Sequence, residues 1–364
     1  MKEQHAPRID PVSGSQNNSM GLVLDPRHLL DAFSNRIDWD LLGRLEGQSL
    51  LGSRQLTRTE VVELAKFSAL LELTEIATSH PLDGKICITA FFEASTRTRL
   101  SFESAVLRCD GKVLSVPDGK VTGIAKGESL ADIGEMFNTY GDLVIMRHPE
   151  TSAIEAIRRN LRRPLINAGN GTGEHPTQAL LDWYALLKWR PDLAEENLGA
   201  EKLHLGIVGT PRNMRAVRSF LRTSLLFDNA IGRISVISEN EEPLDSDIRE
   251  SVERSPVEVD ITNEFKPHLP ELDVIYMNSI ALLDGNYELL DAEFALDRDS
   301  ALKEKAVILH PLARRDELDE SLDRSEHNLY FAEAAGAVFL RQALLISVLG
   351  RIDALPGSIR YLAS

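Results

Sequence analysis

Cysteine is nearly absent: the 364 residues hold two, Cys87 and Cys109. Neither stands in a Cys-x-x-Cys pair or at zinc-ligand spacing from a histidine, which excludes a disulfide framework and a cysteine-based zinc site. Both lie in apolar segments and are expected as buried free thiols. A basic excess is missing too: 40 Lys and Arg stand against 56 Asp and Glu, a net charge of −16. General attraction to nucleic acid or to an anionic membrane is therefore not expected, although a local basic pocket is compatible with that total. The N-terminus shows no apolar core of the signal-peptide kind, and no apolar run approaches the ~20 residues of a membrane span. The glycines of "GIVGT" (206–210) lack the Gly-x-Gly-x-x-Gly spacing of a dinucleotide loop. No internal repeat or low-complexity block stands out. A cytoplasmic enzyme or binding protein is the expectation.

What is there is the composition of an ordinary globular protein, 43% hydrophobic and 26% charged, long enough for two domains. Residues 1–20, rich in Ser, Asn, Gln and Pro, read as a mobile tail or an arm. Helical spacing over 24–50 predicts one or two short helices outside the main domain. A capping box at Thr57 and Glu60 opens a clearer helix over 57–74. Strands are expected at 85–92, 143–147, 164–169, 203–209, 233–238, 274–278 and 306–311. Helices are expected after several of them, including 97–109, 176–190 and an apolar 337–353. This alternation predicts α/β architecture with parallel sheets flanked by helices, in two domains.

One stretch concentrates chemistry. "FFEASTRTRLSFESA" (91–105) runs from a strand end into a helix start, with Ser95, Thr96 and Thr98 beside Arg97. Free N–H groups at a helix N-terminus, hydroxyls and a guanidinium fork together make an anion cradle. A hydroxyl N-cap with two surface arginines is the other reading of the same residues. Further on, "MRHP" (146–149) puts Arg147 just after a strand, and "EHPTQALLD" (174–182) brings His175 and Gln178 to the start of a long helix. Both lie at strand carboxyl ends, where open α/β sheets bind ligands.

With "KGESLAD" (126–132) and "HPLARRDE" (310–317), these stretches resemble the carbamoyltransferase family, and within it the aspartate carbamoyltransferase branch, over about residues 48–355. The resemblance implies a carbamoyl-phosphate-binding domain over 45–180 plus 336–364, an amine-acceptor domain over 181–335 and an N-terminal extension over 1–44. It implies that Ser95, Thr96, Arg97 and Thr98 hold the phosphate of carbamoyl phosphate, and that Arg147, His175 and Gln178 surround its carbamoyl group, with Pro311 and Leu312 also in contact. Arg97, Thr98, Arg147 and His175 would then be the catalytic set, with Arg147, His175 and Thr98 donating to the carbonyl oxygen as it gains charge. Arg215 and Leu312 would meet the acceptor. Thr122 and Lys126 match a mobile loop that, in the family, reaches a neighbouring subunit's site, which implies a homotrimer. No metal or organic cofactor is implied, and the pathway implied is pyrimidine biosynthesis.

The acceptor side departs from the family's pattern. After Tyr276-Met277, Ser279 and Ala281 stand where an arginine and a glutamine are expected, Asp284 where another arginine is, and Ala313 where a proline is. A serine cannot make the charged bidentate contact a carboxylate favours. Three explanations stay open: Arg212, Arg314 or Arg315 supplies the missing cation; the acceptor is another amine; or the chain is a non-catalytic structural partner of an active enzyme.

Overall fold

The computed structural model describes residues 21–74, 79–196, 201–278, 280–283, 286–289 and 292–361. The chain opens with α1 (Arg27–Ala32) and α2 (Trp39–Gly43). These short helices do not stand apart from the core, as their spacing suggested. Leu29, Leu30 and Leu42 are buried in the main apolar cluster, and Trp39 meets Phe67 edge-on at 5.1 Å. A helix that short is marginal alone, so packing against a neighbour is what holds it. That neighbour is α3 (Arg58–Leu73), opened by the expected capping box, with the Glu60 N–H on Thr57 Oγ1 and the Thr57 N–H on Glu60 Oε2.

A first sheet follows in βα rhythm: β1 (Ile86–Phe91), α4 (Thr96–Arg108), β2 (Lys112–Val116), α5 (Leu130–Tyr140), β3 (Leu143–His148), α6 (Ala153–Arg158) and β4 (Leu165–Asn170). Its strands are all parallel, in the order β2-β1-β3-β4. The strands β1, β3 and β4 are near-continuous apolar runs, as burial on both faces requires. The long, buried α7 (Pro176–Trp189) then leads to a second series: β5 (Leu203–Val208), α8 (Arg215–Ser224), β6 (Ile231–Ile237), α9 (Ser246–Glu253), β7 (Glu258–Thr262) and β8 (Val274–Met277). After the antiparallel pair β9 (Ile280–Leu283) and β10 (Asn286–Leu289), β11 (Val307–Leu309) completes a parallel sheet ordered β11-β8-β5-β6-β7. Two parallel sheets with helices on their faces is the architecture the strand-helix alternation predicts.

The edge strands β2 and β7 were not anticipated. Each is partly exposed along its length, so neither carries the apolar run that marks its buried neighbours. The last strand is shorter than expected because the chain leaves the sheet at His310, whose Nδ1 takes the Leu312 N–H at 2.8 Å. The final long helix, α10 (Tyr330–Val348), begins seven residues before the expected 337 and ends five before 353. Asn328 Oδ1 receives the Phe331 N–H at its start, and Gly350, with φ of 62°, follows its end. The added first turns escaped periodicity because they carry the buried polar Glu333 among small residues. By length and composition α10 could cross a membrane, contrary to the expectation from sequence, but about 67% of its apolar window is buried against the protein, including α3, α4 and α7. The short α11 (Gly357–Tyr361) ends the described chain. Cys87 and Cys109 are buried free thiols, and burial pushes each up to about 12.

Candidate active site

A cleft of about 620 Å³ collects residues from the carboxyl ends of strands in both sheets. The first sheet supplies Glu93 to Thr98 after β1, Arg147 at the end of β3, and Gly171, His175 and Gln178 after β4. From the second come Asn213 to Ala216 after β5, Asn278 after β8 and His310 to Ala313 with Arg315 after β11. Parallel strands all aim their carboxyl ends the same way, so the loops that follow them meet on one face.

At the cradle, Ser95 takes the N-cap position of α4 but its hydroxyl makes no cap hydrogen bond. Ser95, Thr96, Arg97 and Thr98 all line the cleft. The Ser95 hydroxyl is therefore not engaged with the helix end, an engagement the decorated-cap reading requires. Burial lowers the Arg97 pKa, opposed by the negative charge of Glu333.

Behind the cradle, Glu93 joins two cations. Its carboxylate takes both Nη1 and Nη2 of Arg215 at 2.8 Å, and Arg147 Nη2 at 3.1 Å. Burial alone would raise the Glu93 carboxyl, but Arg215 and then Arg147 hold it below the ordinary range. Arg215 also donates to the Gly171 carbonyl at 3.1 Å and lies over Gly169. A Cβ there would sit 3.0 Å from Arg215 Nε, and the φ of 112° favours glycine on its own account.

His175 is buried, and its N–H donates to Ser219 Oγ at 2.8 Å. Burial, then the charges of Arg147, Arg215 and Arg341, hold its pKa well below the free value, so the imidazole is neutral. Thr177 Oγ1 lies 3.4 Å from Nδ1; the tautomer protonated on Nε2 is the one that would accept from that hydroxyl. The preceding Glu174 anchors this loop through Arg222, Ser219 and Ser53. Gln178 gives both protons of its amide nitrogen to buried carboxyl groups, Asp182 Oδ1 and Glu333 Oε1, each at 2.7 Å.

The 310–315 turn is held from within. His310 Nδ1 accepts from the Leu312 N–H, so the ring proton is on Nε2, 2.9 Å from Glu317 Oε1. The same carboxylate takes the Arg315 N–H at 3.0 Å. Burial keeps His310 neutral despite Glu317 beside it. The turn forms without the proline expected at 313; the Leu312–Ala313 peptide is cis.

Residues 48–188 match the family profile described as aspartate/ornithine carbamoyltransferase, carbamoyl-P binding domain. The aspartate carbamoyltransferase catalytic subunit of Alkaliphilus oremlandii is 34% identical over 316 residues, which cover 85% of this chain and 93% of that protein. That of Picrophilus torridus is 36% identical over 275 residues, 74% of this chain and 86% of that protein. The chain belongs to the aspartate/ornithine carbamoyltransferase family. Among solved structures, the aspartate transcarbamoylase of Trypanosoma cruzi in complex with carbamoyl aspartate and phosphate superposes with a TM-score of 0.73 at 29% identity, covering 85% of this chain and 97% of that one.

Set against the residues that the family resemblance nominated, the cleft brings together Ser95, Thr96, Arg97, Thr98, Arg147, His175, Gln178, Arg215, Pro311 and Leu312. Thr122 and Lys126 do not line it. Thr122 Oγ1 donates to the Gly119 carbonyl at 2.6 Å, and Lys126 is exposed. Of the three substitute cations, only Arg315 lines the cleft. Arg314 is tied to Asp323 with its guanidinium beside Tyr330 and Phe331, and Arg212 faces Glu242 at 3.8 Å. Ser279 and Asp284 lie outside the described residues, and Ala281 falls in β9. Sequence reasoning missed Glu93, Glu174, Asp182, Glu333 and Arg341. Glu93 and Glu174 adjoin nominated residues, a usable signal; Glu333 meets Gln178 across 155 positions, which no local pattern reveals. Among the described residues, no group of three or more His, Cys, Asp or Glu is placed to hold a metal ion.

Proposed function

We propose that this chain transfers the carbamoyl group of carbamoyl phosphate to the amino group of L-aspartate, giving N-carbamoyl-L-aspartate and phosphate. The observation that carries this reading is a single cleft holding Ser95–Thr98, Arg147, His175 and Gln178 opposite Arg215 and the 311–315 turn. The amine nitrogen attacks the carbonyl carbon, a C–N bond forms, the C–O bond to phosphate breaks, and the amine proton passes to the departing phosphate. Thr98, Arg147 and the neutral His175 donate to the carbonyl oxygen as its charge grows. Arg97 and the first turn of α4 take up the phosphate. Pro311 and Leu312 close over carbamoyl phosphate, and Leu312 with Arg215 meets the acceptor. Arg315 supplies the second cation for the aspartate carboxylates, in place of the arginine absent at Ser279.

The division into a carbamoyl-phosphate domain (45–180 with 336–364) and an acceptor domain (181–335) belongs to this proposal; the two sheets and the return of α10 onto α3 and α4 support it. So does a homotrimer, in which Thr122 and Lys126 serve a neighbour's cleft, and a cytoplasmic role in pyrimidine biosynthesis. Ser279 and Ala281 favour a second reading, carbamoylation of a different amino-acid-like amine. Phosphate release from carbamoyl phosphate, measured with a panel of amines, tests both: release with aspartate supports the first, and release with another amine alone supports the second. No release with any amine, from protein that binds carbamoyl phosphate, leaves the non-catalytic partner. Arg97→Ala should cut kcat/KM at least about a hundredfold by removing a charged phosphate contact; an unchanged rate overturns the cradle assignment.

A further inference from the structure

Under the cleft floor lies a buried polar cluster that the proposed reaction does not use. Asp182 on α7 is fully buried and Glu333 on α10 is 2% exposed. Both accept from one nitrogen, Gln178 Nε2. Ionised together, they would put two like charges side by side in the interior, with Asp182 Oδ2 and Glu333 Oε2 lacking a hydrogen-bond partner apart from the Tyr276 hydroxyl that faces Asp182; one proton shared between the carboxyl groups relieves this. The groups facing the pair are Tyr276 from β8, Arg341 from α10, Arg97 from α4 and the backbone of His310 after β11. An amide can turn end for end, but two carboxyl acceptors admit only its NH₂ end. The oxygen of Gln178 is thereby left for the cleft that the residue lines.

We propose that Asp182 and Glu333 are positioning residues: sharing one proton, they hold the Gln178 amide with its oxygen toward the cleft, where it receives the NH₂ of the carbamoyl group. This rests on the carbamoyl phosphate reading above. It also carries a pH dependence. Burial raises both carboxyl groups, and the charge of Asp182 raises Glu333 further. Loss of the shared proton puts a second negative charge beneath the phosphate cradle, so affinity for the dianion falls as pH rises.

The test is calorimetric titration of the full chain with two probes: phosphonoacetamide, the non-hydrolysable methylene analogue of carbamoyl phosphate, and inorganic phosphate, which has no amide. Glu333→Leu should weaken phosphonoacetamide about tenfold and phosphate less than about threefold, since only the former uses the amide. Glu333→Gln keeps an acceptor for Gln178 but no charge. It should bind phosphonoacetamide within about threefold of wild type at neutral pH and show a shallower decline in affinity with rising pH than wild type, because one of the two titrating carboxyl groups is gone. Equal effects of Glu333→Leu on both probes, or on neither, overturn the proposal. So does a wild-type pH profile in Glu333→Gln, which decides the matter where the leucine variant does not fold. Wild-type protein that binds phosphate but not phosphonoacetamide overturns the functional reading and this inference together; normal wild-type binding with unaltered discrimination in the variants overturns this inference alone.

Discussion

At the scale of single residues, charge placement decides what the cleft can hold. Arg315 stands in the cleft, while Arg314 and Arg212 are directed elsewhere. Arg315→Ala is expected to raise KM for aspartate at least about tenfold, the cost of one charged contact to a carboxylate, and to leave the affinity for phosphonoacetamide unchanged. Steady-state kinetics with calorimetry separates the two. His310 gives a pH signature. Its pKa is held below the free value of about 6.5, so the unfolded chain takes up a proton that the folded chain refuses. Its contribution to stability is therefore intact above about pH 6.5 and falls as the pH drops below it. Thermal melts from pH 7.5 to 5 should show a steeper acid loss in wild type than in His310→Gln, which keeps a donor and an acceptor but does not titrate. Residues of this kind were unevenly legible. Ser95 to Thr98 lie in one run, so the sequence alone could nominate them together as an anion site. The two cations of Glu93 come from β3 and from the start of α8, so its double role exists only after folding.

At the scale of elements, the loop between β4 and α7 shows how a reactive side chain is aimed. Glu174 joins Arg222, Ser219 and Ser53, and the next residue is His175. The Arg222 side chain is only 6% exposed and also pairs with Asp247. Glu174→Ala therefore takes one of two partners from a buried cation and loosens the loop. A loss of about 3 kcal/mol in denaturant-measured stability is expected, together with a fall in kcat larger than any rise in KM for carbamoyl phosphate. The buried parallel strands could be read directly because both faces demand apolar residues, and α3 announced itself through its capping box. The edge strands β2 and β7 and the opening of α10 could not. Exposure removes the apolar run from the first two, and a polar cluster interrupts it in the third.

At the scale of the whole molecule, exposed apolar side chains are concentrated. Leu100, Leu107, Leu114, Val121, Met136 and Tyr140 all belong to the 100–140 stretch that includes α4, β2 and α5. Large exposed apolar groups are a mark of association; α4 and α5 pack on opposite faces of the first sheet, so these side chains are neighbours in sequence rather than one patch, and the same segment carries Thr122 and Lys126. Replacing Leu107 and Met136 by Glu is expected to shift the protein toward monomer in sedimentation. Under the proposed trimer, turnover should fall with it, because Lys126 is there proposed to serve a neighbour's cleft. An assembly unchanged by both charges would separate that surface from subunit contact.

The two buried thiols bear on the same helix. Cys109 closes the far end of α4, whose opposite end is the proposed anion cradle, and Cys87 lies in the strand beside it. Neither can meet a water-borne thiol reagent until this part of the molecule opens. Their labelling rate is thus a clock for that opening, built into the chain without a tag, and a ligand seated at the front of α4 should slow it from the back.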